Sequence, residues 1–170
     1  MKGMRRLLII ILGALLCLPQ FGCRLFFEKH SNVSPSEDDL GANKVFSGNG
    51  YSIVLTDQFA EKKSQVGFDG YYVADYCGVM VQVVTPANAA EYNVTNTRDL
   101  LTQTMSDKNT ELIEADGLVY YHYVRNGNAG WNFAFKGSEN YYLIQFLCLE
   151  TSADALKNTI LTFARSVTVE

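Results

Sequence analysis

The chain has 170 residues, 48% of them hydrophobic, and a formal net charge of −4. That charge is unevenly placed: Lys2, Arg5 and Arg6 open the chain, so residues 24–170 carry 11 basic against 18 acidic side chains, a net of −7. An acidic body of this kind is a poor partner for nucleic acid and for anionic lipid headgroups.

The basic start runs into an unbroken apolar stretch, Leu7–Leu18, and then Gly22-Cys23. A positive start, a short apolar core and a small residue at a cleavage point are the grammar of an export signal. The apolar run is 12 residues, or 17 when extended to Cys23. A spanning helix needs roughly 20 and has a lower limit near 17. Three readings stay open for residues 1–23. Cys23 is lipidated after cleavage, the segment stays uncut as a signal anchor, or it is cut and the domain is released. Gln20 and Phe21 depart from the usual bacterial lipoprotein box, where a Leu and a small residue stand. In the first two readings the chain meets the membrane through its N-terminus and the rest faces away from the cytoplasm. Cys17 is an apolar residue inside the signal.

Residues 24–44 read as a flexible tether. The stretch Glu28 to Lys44 is rich in Ser, Asn, Asp and Glu, and buries too little apolar surface to offset its ordering entropy. Glu37-Asp38-Asp39 reads as a solvated acidic patch and not as a cation site. Residues 45–170 are then one domain with one core.

Within that domain, Tyr51–Leu55 alternates after a Gly48-Asn49-Gly50 turn and reads as a strand. Residues 60–69 are irregular. Tyr71–Tyr76 and Val79–Val84 read as a hairpin around Cys77-Gly78. The apolar run Val79–Val84 is expected at the centre of a sheet covered on both faces. Pro86 ends it. Asn96 or Thr97 caps a helix to about Ser106, with Leu100, Leu101, Thr104 and Met105 buried. Ile113–Gly117 leads into a turn. A meander follows, of Leu118–Arg125, Gly130–Lys136 and Tyr141–Glu150. A last helix, expected to be capped by Thr151 and Ser152, presents Leu156, Ile160, Phe163, Ala164 and Val167 on one face. The order predicts an α+β domain, a mainly antiparallel sheet with helices packed on it.

Chemistry is sparse in this pattern. His122 is the only histidine beyond the tether, where His30 lies, and it shares a strand face with Leu118, Tyr120 and Val124. That position suits a satisfied core or edge histidine better than a general base. Cys77 and Cys148 read as buried thiols; spacing alone does not pair them in a disulfide. No metal-ligand spacing and no phosphate-cradling glycine pattern occurs, so neither metal nor cofactor is expected. The triplets Asn32-Val33-Ser34 and Asn93-Val94-Thr95 are chance-level glycosylation matches. Aromatic residues crowd the meander. Trp131, Phe133 and Phe135 share a core face, while Tyr121, Tyr123 and Arg125 share the opposite face of their strand from His122. If no helix covers them, these three form a partner-binding patch.

The strand Gly50–Leu55 followed by Asp57-Gln58-Phe59, and the close Tyr141–Phe146 leading to Phe163-Ala164-Arg165-Ser166-Val167, resemble small PsbP-like domains. Over roughly residues 46–169 the chain is similar to a family of small, largely uncharacterised bacterial surface lipoproteins with such a domain. The resemblance implies a non-enzymatic binding or assembly module of the cell envelope, whose partner is an envelope protein or a small ligand. The alternative is a small hydrolase using His122 with Cys77 or Cys148.

Overall fold

The computed structural model describes residues 41–63, 67–105 and 110–170. The export signal, Cys23, His30, the acidic triplet and all but the last residues of the expected tether lie outside the described residues. Among the described residues, no helix is long and apolar enough to cross a membrane.

Among the described residues, ten strands form two antiparallel sheets. The small sheet has the order β1-β2-β10, with β1 Asn43–Gly48, β2 Tyr51–Thr56 and β10 Thr168–Val169. The large sheet has the order β3-β4-β5-β9-β8-β7-β6, with β3 Ala60–Glu61, β4 Gly70–Val73, β5 Gly78–Val84, β6 Ile113–Ala115, β7 Leu118–Arg125, β8 Asn128–Lys136 and β9 Tyr141–Leu149. The expected meander is present as β7-β8-β9. The apolar run ending at Val84 is β5, which sits inside the sheet between β4 and β9. Tight turns join β7 to β8 and β6 to β7. Asn126 and Gly127 have φ of 52° and 75°, and Asp116 and Gly117 have 52° and 77°. Two consecutive positive φ values match the twist of a hairpin, which is why Asn-Gly and Asp-Gly stand there.

Strand alternation sends two residue sets to opposite faces of the large sheet. One face carries Val79, Val81, Phe133, Ile144 and Phe146, and buries them against the small sheet and α3, Ala153–Arg165. Leu156, Ile160, Phe163 and Ala164 are the buried stripe of α3, as their spacing predicts. Phe146 meets Phe133 edge-on at 5.7 Å, and Phe59 meets Phe163 at 5.9 Å. Hydroxyl pairs tie the two sheets together: Tyr51 to Tyr72 at 2.7 Å and Thr56 to Tyr76 at 2.9 Å. The other face carries Met80, Leu143, Leu147 and Tyr121 beneath α1, Pro86–Glu91, and α2, Thr97–Thr104.

Four local expectations are corrected. Residues 43–48 form β1, so strand structure begins inside the stretch read as tether. Residues 86–91, read as a connection, are helical. Ile113–Ala115 pairs with β7 as an edge strand. Thr151 and Ser152 do not cap α3 with side-chain hydrogen bonds; they belong to a 3-10 turn, Glu150–Ser152, that feeds directly into it.

Candidate functional site

A cavity of about 320 Å³ lies on the second face, bounded by α1, α2, β5 and β9. Its shape follows from how the two helices begin and end. Pro86 fits the first turn of α1, and Thr85 Oγ1 accepts the Asn88 N–H at 3.4 Å. The helix stops at Asn93, whose φ is 55°. There the Val94 N–H donates to the Ala89 carbonyl at 2.8 Å and the Asn93 N–H to that of Ala90 at 3.2 Å. This double closure around a left-handed residue satisfies the last carbonyls of a helix. Asn96 opens α2 at once, its Oδ1 accepting the Asp99 N–H at 3.0 Å. Asp99 Oδ2 in return accepts the Thr95 hydroxyl at 2.6 Å and the Thr95 N–H at 2.9 Å. Those hydrogen bonds hold the Asp99 carboxyl below its ordinary range.

The short stop-and-restart between the helices sets them on the sheet at separate places, and the cavity occupies the gap. Its floor is apolar, made by Val84, Val94, Leu100 and Leu143. Phe68 and Tyr92 supply aromatic walls. Polar groups stand around the mouth: the amides of Gln82, Asn88 and Gln103, and the Asp69 carboxylate. Asp69 is fixed there because its Oδ2 accepts the Val83 N–H at 2.8 Å. Among the described residues no basic side chain lines the cavity. Its volume falls at the lower end of small-ligand sites, roughly 300–1,000 Å³. Amides that both donate and accept, one carboxylate and an apolar floor suit a compact amphipathic molecule that is neutral or cationic. An anion would meet the Asp69 carboxylate with no basic side chain among the described lining residues to offset it.

The sequence-predicted surface residues form a row running from core to solvent. Tyr121 is 5% exposed, because α2 lies over it. Its hydroxyl donates to the Thr104 carbonyl at 3.1 Å and lies 3.2 Å from Thr104 Oγ1. Burial pushes its phenol up to about 12. Tyr123 is half-buried; its hydroxyl accepts from Gln145 Nε2 at 2.8 Å, and its ring sits 6.1 Å from that of Tyr121. Arg125 is exposed at the end of β7. The condition set for an open patch therefore fails at Tyr121, which is core, and the three residues do not present one continuous surface.

His122 lies on the first face, its ring 4.5 Å from that of Trp131. Its Nε2 is buried with no hydrogen-bond partner, so the ring is not the satisfied histidine expected from the sequence. Burial, helped by Lys157 and opposed by Asp154, lowers its pKa. Cys77 and Cys148 are free thiols in the same core. Each thiol donates to the carbonyl next along its own chain, Gly78 at 3.5 Å and Leu149 at 3.3 Å. Burial pushes Cys148 up to about 12 and raises Cys77 well above its ordinary value. Among the described residues no group of three or more His, Cys, Asp or Glu is placed to hold a metal ion.

The sequence reading did not single out the cavity because its lining is scattered along the chain, from the approach to β4 through β5, α1 and α2 to Leu143 on β9. The available signal was the Thr85-Pro86 pair, a cap followed by a first-turn proline.

A solved structure with this arrangement of sheet and helices is the cyanobacterial PsbP protein CyanoP from Synechocystis, in solution. The similarity covers 81% of this chain and 98% of that one at 16% identity, with a TM-score of 0.50. The domain has a PsbP-like fold. Looser likenesses are to the Ran-binding protein Mog1p of Saccharomyces cerevisiae, at 11% identity over 76% of this chain and 96% of that one, TM-score 0.47. Another is to LpqN of Mycobacterium tuberculosis, described as involved in cell envelope biogenesis, at 10% identity over 81% of this chain and 89% of that one, TM-score 0.39. No family model and no curated protein matches the chain.

Proposed function

We propose that this chain is a non-catalytic binding module, anchored through its N-terminus to a cell membrane with the PsbP-like domain on the side away from the cytoplasm. Its ligand is a small, neutral or cationic amphipathic molecule. The observation that carries this reading is the cavity between α1 and α2, with its apolar floor and the three amides and one carboxylate at its mouth. The anchor is supported by the basic start, the apolar run and Cys23. The thiol hydrolase alternative is disfavoured because the attacking species would be a thiolate, and burial holds both thiols protonated. Arg125, at the exposed end of β7, remains available to a protein partner.

Two experiments test this proposal. Gln103 is exposed on α2 at the cavity mouth, so Gln103→Trp should block entry without disturbing the core. A panel of neutral and ammonium-bearing amphiphiles should raise the melting temperature of the native chain and leave Q103W unmoved. Equal shifts in both proteins would place binding elsewhere and sink the cavity reading. Metabolic fatty-acid labelling of the native chain and of Cys23→Ser separates the anchoring modes. Label lost in C23S assigns lipidation, and a membrane-bound, unlabelled native chain assigns the uncut anchor. A native chain found wholly in the soluble fraction would refute the anchor.

A further inference from the structure

We infer that Cys77 and Cys148 are a disulfide site, joined across β5 and β9 when the chain folds in the presence of a disulfide donor. In the antiparallel ladder of β5 and β9, Gly78 is paired with Leu147 and Val79 with Phe146. One step further along that register sets Cys77 opposite Cys148. Cys77 lies just before β5, and its carbonyl accepts the Ala74 N–H at 2.9 Å across the β4–β5 turn. Its backbone polar groups are thus turned toward β4 and away from β9. Opposed to Cys148, it occupies the kind of antiparallel pair that exchanges no backbone hydrogen bonds, where Cα atoms stand about 4.5 Å apart and side chains come closest. Disulfides need a Cα separation of roughly 4.4–6.8 Å, a window that includes the spacing of such a pair.

Both side chains point to the same face, since both belong to the core beneath the small sheet and α3. Cys148 contributes electrostatically to the environment of the Cys77 thiol. The hydrogen bonds of both thiols are to the backbone: to the carbonyls of Gly78 and Leu149, and for Cys77 also from Leu147 on β9. The site is on the opposite face of the sheet from the cavity, so it stands independently of the proposed ligand.

The chemistry is thiol–disulfide exchange. The Cys77 thiol loses its proton and attacks one sulfur of the donor, R–S–S–R, forming a mixed disulfide and releasing R–SH. The Cys148 thiol loses its proton and attacks the Cys77 sulfur, forming the Cys77–Cys148 bond and releasing the second R–SH. The two protein thiols are oxidised and the donor is reduced by the same two electrons, with both protons carried away on the released thiols. In the folded chain Cys77 and Cys148 are 1% and 0% exposed, so the donor must reach them before the core closes. The loop closed by the bond contains α1, α2 and β6 to β8, so it removes entropy from a long stretch of unfolded chain.

The test is to unfold and reduce the full chain, then refold it in a mixture of oxidised and reduced glutathione. Alkylation under denaturing conditions and non-reducing peptide mapping then report every linkage, those of Cys17 and Cys23 included. The expected result is one linked peptide pair joining Cys77 to Cys148, resistant to mild reductant until the protein is unfolded. The oxidised protein should melt on the order of 10 °C above the reduced one. Cys77→Ser and Cys148→Ser should each remove the link and the difference. Recovery of both residues as alkylated thiols would overturn the inference, as would pairing only with Cys17 or Cys23, or a bond that lowers the melting temperature.

Discussion

Tyr121 shows how one side chain joins helix to sheet. Its ring is buried under α2 and its hydroxyl reaches the last residue of that helix, Thr104. Tyr121→Ala should cost about 3–5 kcal/mol through the cavity it leaves. Tyr121→Phe keeps the packing and loses only the hydrogen bonds, about 1 kcal/mol. Denaturant melts that show no difference between these variants would contradict its place in the core. On the same face, Asn132 is fully buried and neither end of its amide has a hydrogen-bond partner. Removing that amide should help: Asn132→Val is expected to raise stability by about 1 kcal/mol, and a loss of that size would reveal a partner for the amide. His122 makes a pH prediction. Its folded pKa lies below the ordinary value of 6.5 because burial disfavours the charged ring. The unfolded chain therefore takes up the proton first as pH falls. The contribution of His122 is complete above about pH 6.5 and is lost as pH drops toward the folded pKa. Melting temperature should decline on acidification through this window, and His122→Gln should flatten that part of the curve; an unchanged slope would assign the decline to other groups.

Among the elements, α2 depends on its first turn. Asn96 and Asp99 satisfy N–H groups that have no partner within the helix. Asn96→Ala should cost about 1 kcal/mol and expose the amides of α2 to faster hydrogen exchange than those of α3. Equal exchange in the two helices would show that the cap does not control α2. This helix was legible in the sequence, as were β5, the three-strand meander and the stripe of α3, because each joins a clear periodicity to a turn or cap. The elements that escaped are short or held by distant partners. Only Phe46 is buried in β1, so its sequence carries no alternation. β10 is two residues long and exists by pairing with Tyr51 and Ser52. α1 has six residues and buries only Ala89, too few for a helical period to show. The tyrosine row was placed on the correct face, but whether a helix covered it was a question of tertiary packing.

At the scale of the whole molecule, the large sheet separates two unlike cores. One face is closed by the small sheet and α3 over interlocking aromatic rings. The other is roofed by two helices that leave the cavity between them. No single stretch of sequence encodes that cavity, since its walls come from the approach to β4, from β5 through α2, and from Leu143 on β9. It emerges when the Thr85, Asn93 and Asn96 caps hold the helices apart. The most direct measurement is an amide chemical-shift map of the native chain, titrated with a neutral amphiphile that raises its melting temperature. Shifts should cluster at Val84, Tyr92, Leu100 and Leu143 and vanish in Gln103→Trp. Shifts centred on the aromatic face, or on β7 and Arg125, would contradict the assignment of the cavity as the binding site.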